Sequence, residues 1–129
     1  MYYHIRIARP TDNLQPIIRF YKTGLGFEVL GQFTNHDGFD GVMLGHKGAR
    51  YHLEFTRKRG GHAGKAPTED NLLVWYIPDK AEWQAKIDHM ISVGYAPVKA
   101  FNPYWDVKGK TFQDPDGYRI VLQNAEWGV

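Results

Sequence analysis

The sequence contains no cysteine, so it has no disulfide framework, thiol nucleophile or thiolate metal site. It also has no apolar run approaching the roughly 18 residues that cross a membrane, and no apolar signal stretch at its N-terminus. The formal net charge of +2 is too small to indicate nucleic-acid binding. We therefore expect a cytoplasmic protein whose partners are neither nucleic acids nor membranes.

Aromatic residues, in contrast, are abundant. They make up 15% of the chain, while hydrophobic and charged residues stand at 43% and 23%, which is ordinary for a globular protein. A chain of 129 residues is long enough to bury a real core. We expect some of the aromatic side chains to line a cavity.

The order of predicted elements occurs twice, roughly 67 residues apart. Gly26 follows the first helical pattern and Gly94 follows the second. The strand around Leu53 corresponds to the strand around Ile120. Tandem halves of this kind usually build one pseudo-symmetric core with a cleft between them.

The repeat predicts a single domain, residues 1–129, made of two units. The units span about residues 1–56 and 71–129, and the polar, glycine-rich residues 57–70 connect them. Each unit is predicted as βαβββ. The fold class is therefore α+β, with helices outside a curved mixed sheet.

In the first unit, alternating apolar and polar residues predict a strand over residues 2–8 with one apolar face. Thr11 or Asp12 is expected to cap the following helix, and Gly24 to end it.

In the second unit, Asp79 with Glu82 three residues later predicts the start of a helix. Residues 95–101 and 109–113 are predicted as strands. The sequence Asp114-Pro115-Asp116-Gly117 predicts a tight turn before the last strand.

Two motifs resemble the vicinal-oxygen-chelate superfamily, which includes glyoxalase I, extradiol dioxygenases, and fosfomycin- and bleomycin-resistance proteins. Phe20-Tyr21 followed by Leu25-Gly26-Phe27 is similar to that superfamily's first helix and turn. Phe112 with Asp114-Pro115-Asp116-Gly117 is similar to its last hairpin. The resemblance covers nearly the whole chain and implies that the two units form a cup.

The resemblance also implies one divalent metal in that cup, held by the first and last strands of each unit. Counting without gaps from the motifs places Arg6, Glu54, Leu72 and Val121 at the four ligand positions. Only Glu54 offers a lone pair, because Arg6 is a donor without an acceptor and the other two side chains are apolar. One carboxylate does not hold a divalent cation, so no cofactor is expected.

The resemblance implies that the strands of Arg6 and Glu54 pair, so that the two side chains lie beside each other. We expect them to form an ion pair in place of the metal, because an unpaired carboxylate is costly to bury. A shift of one residue in the count leaves an alternative open. His4, His52 and Glu54 then form a metal site of two histidines and one carboxylate.

The expected ligand-binding residues follow from strand alternation and from the aromatic segment before the last hairpin. They are Arg6, His52, Glu54, Tyr76, Tyr104, Trp105, Arg119 and Gln123. Leu72, Val74 and Val121 are expected to make an apolar floor. Such a cavity suits a small organic, aromatic ligand.

The resemblance supports three functions. The first is a metal-independent binder like the bleomycin-resistance branch, which by analogy forms a homodimer. The second is a metal-dependent lyase or dioxygenase that uses His4, His52 and Glu54. The third is a metal-free lyase or isomerase with Glu54 as general base, ranked last because Arg6 nearby would make Glu54 a weaker base.

Overall fold

A computed structural model describes residues 2–128 of the chain. The chain divides into two compact units, one ending at Gly64 and the other beginning at Lys65. No helix in the described part of the chain is long and apolar enough to span a membrane.

The first unit holds a four-stranded sheet and one short helical region. Its elements are β1 (Ile5–Pro10), α1 (Leu14–Ile18), a π-helical segment (Arg19–Gly24), β2 (Glu28–His36), β3 (Phe39–Gly45) and β4 (Tyr51–Lys58). The strand order is β1-β4-β3-β2. β1 runs parallel to β4, whereas β2 and β3 join the sheet antiparallel.

The helical region closes the core of this unit. Ile17, Phe20 and Tyr21 are fully buried. The Tyr21 ring lies 5.0 Å from the ring of Phe55 on β4 and stacks on Phe27. This explains the Phe20-Tyr21 motif, because both rings are needed to fill the space over the sheet.

The predicted start of the helix in the first unit was wrong by one or two residues. Asn13 is the N-cap residue and its side chain makes no capping bond, so neither Thr11 nor Asp12 caps α1. Gly24 ends the π-helical segment, but Gly26 is the residue with positive φ (82°). Glycine is favoured there because left-handed backbone costs it little.

The predicted strand over residues 2–8 also needs correction, since β1 begins at Ile5 and continues to Pro10. Its apolar face is not buried. Ile5 and Ile7 are 59% and 40% exposed, and Tyr3 just before the strand is 75% exposed. Alternation predicted the strand correctly but did not predict that its apolar side would stay uncovered.

The second unit repeats the plan with a three-stranded sheet. Its elements are β5 (Leu72–Tyr76), α2 (Lys80–Ser92), α3 (Tyr104–Val107), β6 (Gly109–Gln113) and β7 (Arg119–Gln123). The order is β5-β7-β6, with β5 parallel to β7 and β6 antiparallel to it.

Helix α2 starts as predicted, since the Asp79 carboxylate accepts a hydrogen bond of 2.9 Å from the backbone N–H of Glu82. It packs on β7 through the Trp83 indole, which donates to the carbonyl of Leu122 at 2.7 Å. The turn at residues 114–117 is also confirmed. The Asp114 carboxylate accepts from the backbone N–H groups of Asp116 and Tyr118.

The strand predicted over residues 95–101 does not form. Only Val98 pairs there, in an isolated bridge to Thr111. Pro97 removes one backbone donor from this segment. The segment instead leads into α3, a four-residue helix that sequence reasoning missed.

The fold is α+β, built of two βαβββ-like units, as predicted. The pairing of the first and last strands is the same in both units. Arg6 aligns with His52 and Leu72 aligns with Arg119, so that Glu54 and Val121 each lie two residues further along. This equal offset agrees with the position count made from the sequence motifs.

Candidate functional site

In the first unit, four polar side chains gather at the parallel pair β1–β4. Arg6 lies opposite His52 in the register, and Glu54 is two residues further along β4. Residues two apart on a strand share a face. His4 extends the same alternation just before β1.

The Arg6 guanidinium is at the centre of this group. Its Nε donates to Nε2 of His52 at 2.8 Å, and its Nη1 donates to Oε2 of Glu54 at 3.1 Å. The predicted ion pair between Arg6 and Glu54 is therefore confirmed. The Glu54 side chain is only 12% exposed, whereas that of Arg6 is 48% exposed. The arginine thus neutralises a largely buried carboxylate.

His4 contacts the other edge of the His52 ring. Its Nε2 lies 2.5 Å from Nδ1 of His52, and the ring centroids are 4.7 Å apart. Burial lowers the pKa of His52 below its usual value, and the charges of Arg6 and His4 lower it further, while Glu54 opposes them. His52 therefore favours the neutral form.

This donor set does not fit a divalent metal as it stands. The Nε2 lone pair of His52 and one Glu54 oxygen already accept from a permanent cation. His4 approaches the opposite nitrogen of His52, so the two histidines and Glu54 do not converge on one point. Within residues 2–128, no group of three or more histidine, aspartate or glutamate side chains is arranged to hold a metal ion.

In the second unit, three of the predicted ligand-binding residues line one cavity of about 290 Å³. They are Tyr76, Tyr104 and Gln123. The cavity is also lined by Val107, Lys108, Ala125, Glu126, Trp127 and Gly128. The rings of Tyr76 and Trp127 are 6.0 Å apart.

Trp105 is not among the residues that line this cavity. Its ring packs edge-on against Tyr104, with the centroids 4.9 Å apart. Gln123 is buried, and its Oε1 has no hydrogen-bond partner in the described part of the chain.

Arg119 was expected to face the ligand, but its guanidinium binds protein groups. It donates to Oε1 of Gln113 at 3.1 Å, to the carbonyl of Lys99 at 3.0 Å and to Glu69 at 2.8 Å. The residue is 6% exposed. In the β5–β7 pair, Leu72 lies opposite Arg119 and Val74 lies opposite Val121.

Sequence reasoning missed two features. Trp127 lies after the last strand, where no periodic pattern identifies it. A second cavity of about 360 Å³ in the first unit is lined by residues that include Asp12, Phe39, Lys58 and His62. Asp12 holds the connector there through the backbone N–H groups of residues 63 and 64, at 2.6 and 3.0 Å. Partners about fifty residues apart leave no local sequence signal.

Solved structures place this fold in a known class. The chain superposes on the trypanothione-dependent glyoxalase I of Leishmania major with a TM-score of 0.72 at 21% identity, covering 97% of this chain and 88% of that one. It superposes on TnmS3, an antibiotic-binding protein from Streptomyces sp. CB03234, with a TM-score of 0.67 at 21% identity, covering 95% of each. At these identities the likeness shows the fold alone, which is that of the vicinal-oxygen-chelate superfamily.

Two family models match the chain more specifically. The YycE-like N-terminal domain matches residues 5–56, and the YycE-like C-terminal domain matches residues 70–124. The YycE protein of Bacillus subtilis is 48% identical over 122 residues, which is 95% of this chain and 88% of that protein. Its crystal structure, described as that of a protein of unknown function, superposes with a TM-score of 0.89 and covers 98% of this chain and 91% of that one. The chain belongs to the YycE-like family.

Proposed function

We propose that this protein is a metal-independent binder of a small organic ligand that contains an aromatic ring. The observation that carries the proposal is the position of the Arg6 guanidinium. It occupies the lone pairs of His52 and Glu54 that a metal would require. The two remaining positions of the expected metal site are Leu72 and Val121, whose side chains have no lone pair.

The aromatic nature of the ligand is supported by the cavity of the second unit. Tyr76, Tyr104 and Trp127 give it aromatic walls, and Lys108 and Glu126 add polar groups at its lining. Rings of this kind favour a planar partner through offset or edge-to-face packing.

The proposed ligand-binding residues are those expected from the sequence, with Trp127 added. They are Arg6, His52, Glu54, Tyr76, Tyr104, Trp105, Arg119, Gln123 and Trp127. Arg119 has its donors engaged within the protein, so its expected contribution is to position the surrounding groups.

The test is ligand-induced thermal stabilisation in the presence of a metal chelator. Benzoate, indole and naphthol serve as probes against the wild type, Tyr104→Ala and Trp127→Ala. We expect at least one probe to raise the melting temperature of the wild type. Both alanine variants should weaken this shift, because each removes one wall of the cavity.

The matched control is Phe101→Ala, which removes an aromatic ring that is 65% exposed and lies outside this cavity. It should keep the full shift. If the chelator abolishes stabilisation by every probe, the binder is not metal-independent and the proposal is wrong.

A metal-dependent lyase or dioxygenase that uses His4, His52 and Glu54 is the second candidate. It is favoured by one observation, that His52 and Glu54 direct lone pairs toward the same guanidinium. Displacement of Arg6 would leave both groups facing the space that the guanidinium fills. Stoichiometric metal in the purified wild type that is lost in both Glu54→Ala and His4→Ala would favour this enzyme over the binder.

The proposal includes a homodimer. It is supported by the uncovered apolar residues at the start of the chain, which are Tyr2, Tyr3, Ile5 and Ile7. A monomer rarely leaves such side chains together in contact with water. Within the described residues of the first unit, β1 is also an edge strand of its sheet.

A further inference from the structure

The hydrogen bonds between Arg6, His52 and His4 have a fixed direction. An arginine guanidinium is a donor without an acceptor, and it keeps its charge at any physiological pH. Since Arg6 Nε is 2.8 Å from Nε2 of His52, that nitrogen accepts and carries no proton. In a neutral ring the proton of His52 must then be on Nδ1.

The same reasoning extends to His4. Nδ1 of His52 donates to Nε2 of His4, so this second nitrogen is also an acceptor. The proton of a neutral His4 is therefore on Nδ1. One permanent cation thus sets the tautomer of two rings in series, and the chain of donors ends at an N–H on a residue in contact with solvent.

From this we infer that His4 presents its Nδ1–H as a donor to the ligand, and that the ligand carries an acceptor oxygen, such as that of a carboxylate or carbonyl. This inference rests on the proposed ligand-binding function and specifies the chemistry that the first unit recognises.

The charges around the two rings agree with this inference. Arg6 and Glu54 neutralise each other, so the group does not attract a cation. The acceptor nitrogens of both rings already accept hydrogen bonds within the group. The half-exposed Arg6 side chain offers only further donors. A ligand that offered only N–H or O–H groups would find few acceptors on this surface.

The first experiment determines the histidine tautomers of the full chain by nitrogen NMR of labelled histidines, at an alkaline pH well above the ordinary pKa of an imidazole side chain. We expect His52 and His4 each to carry the proton on Nδ1. In Arg6→Leu the fixed donor is lost, and His4 should return to the Nε2–H form that free imidazole side chains prefer. Arg59→Leu is the matched control, because its side chain is exposed to a similar degree, 46% against 48% for Arg6, and pairs with Asp40 instead of the histidine pair. An Nε2–H tautomer of His4 in the wild type would overturn the inference.

The second experiment compares two probes with the same ring, benzoate and benzylammonium. We expect benzoate to shift the His4 and Arg6 resonances in a saturable manner, and benzylammonium to leave them unchanged. His4→Phe should weaken benzoate binding about tenfold, the effect of losing one hydrogen bond to a charged group. Equal responses to the two probes, or no response to either, would refute the donor role of His4.

The outcomes separate this inference from the proposed function. If aromatic probes stabilise the protein but benzoate and benzylammonium are not distinguished at His4, the binder stands and the inference is wrong. If no aromatic probe binds anywhere on the protein, the proposed function is wrong, whatever the tautomers are.

Discussion

At the scale of single residues, an arginine at an expected metal-ligand position decides the chemistry of the first unit. Arg6 stands where the resemblance implies a metal ligand. A guanidinium there supplies a positive charge without coordination, satisfies Glu54 and fixes the orientation of His52. The consequence is a polar group whose exposed atoms are mainly donors.

The lowered pKa of His52 predicts a pH dependence of stability. Its usual value is 6.5, and the folded protein holds it below that. As pH falls below 6.5, the unfolded chain takes up a proton that the folded protein does not. The free energy of unfolding should therefore decrease as the pH falls from 6.5 to the pKa of His52 in the folded protein. The stabilisation that comes from a neutral His52 is complete only at a pH above this range.

Urea denaturation at a series of pH values measures this effect. His52→Gln is the control, because an amide can accept from Arg6 and does not titrate. The slope of stability against pH should be smaller in His52→Gln than in the wild type. Identical slopes would show that His52 is not responsible.

At the scale of elements, helix capping and close packing of the backbone determine where α2 and β6 of the second unit begin. The start of α2 depends on one side-chain bond, from the Glu82 N–H to the Asp79 carboxylate. Asp79→Ala should lower the free energy of unfolding by about 1 kcal/mol. Asp88→Ala, on the same helix and bonded to Gln84 in an exposed pair, should lower the free energy of unfolding by about 0.2–0.5 kcal/mol. Chemical denaturation compares the two variants, and equal losses would contradict the capping role.

The start of β6 requires a glycine for a different reason. A Cβ atom on Gly109 would lie 2.5 Å from the carbonyl oxygen of Trp105 and 2.7 Å from Oε1 of Gln123. Gly109→Ala should therefore destabilise the protein by roughly 1–3 kcal/mol, because backbone must move to admit the methyl group. Gly128→Ala is the control, with no heavy atom within 4 Å of its added Cβ. Wild-type stability of Gly109→Ala in thermal denaturation would refute this account of the α3–β6 connection.

At the scale of the whole molecule, the exposed apolar residues of the N-terminal strand lead to a prediction about association. Ile5→Lys should shift the proposed dimer toward monomer, because it places a charge on a surface that the second copy would bury. Ile91→Lys changes a similarly exposed isoleucine, 49% against 59%, on helix α2. Light scattering of both variants measures the mass. A monomeric wild type, or equal behaviour of the two variants, would contradict the proposed interface.

The sequence by itself determined the class of fold and one contact of the site. The repeat and the two glycine-containing motifs predicted two βαβββ-like units, because turns and helix ends depend on local backbone preferences. The count from those motifs, together with the strand pairing that the resemblance implies, predicted the ion pair between Arg6 and Glu54. It also identified Asp79 as the start of a helix.

Only the tertiary structure decided the features that depend on distant partners. Residues 95–101 were predicted as a strand but form only a single bridge, from Val98 to Thr111. Strand formation depends on hydrogen bonding to a neighbouring strand as well as on local preference. Trp127 reaches the cavity of the second unit from a segment without periodicity. The engagement of Arg119 by Glu69, and of His52 by both Arg6 and His4, joins residues about fifty positions apart. Such contacts are set by how elements pack, and no spacing in the sequence records them.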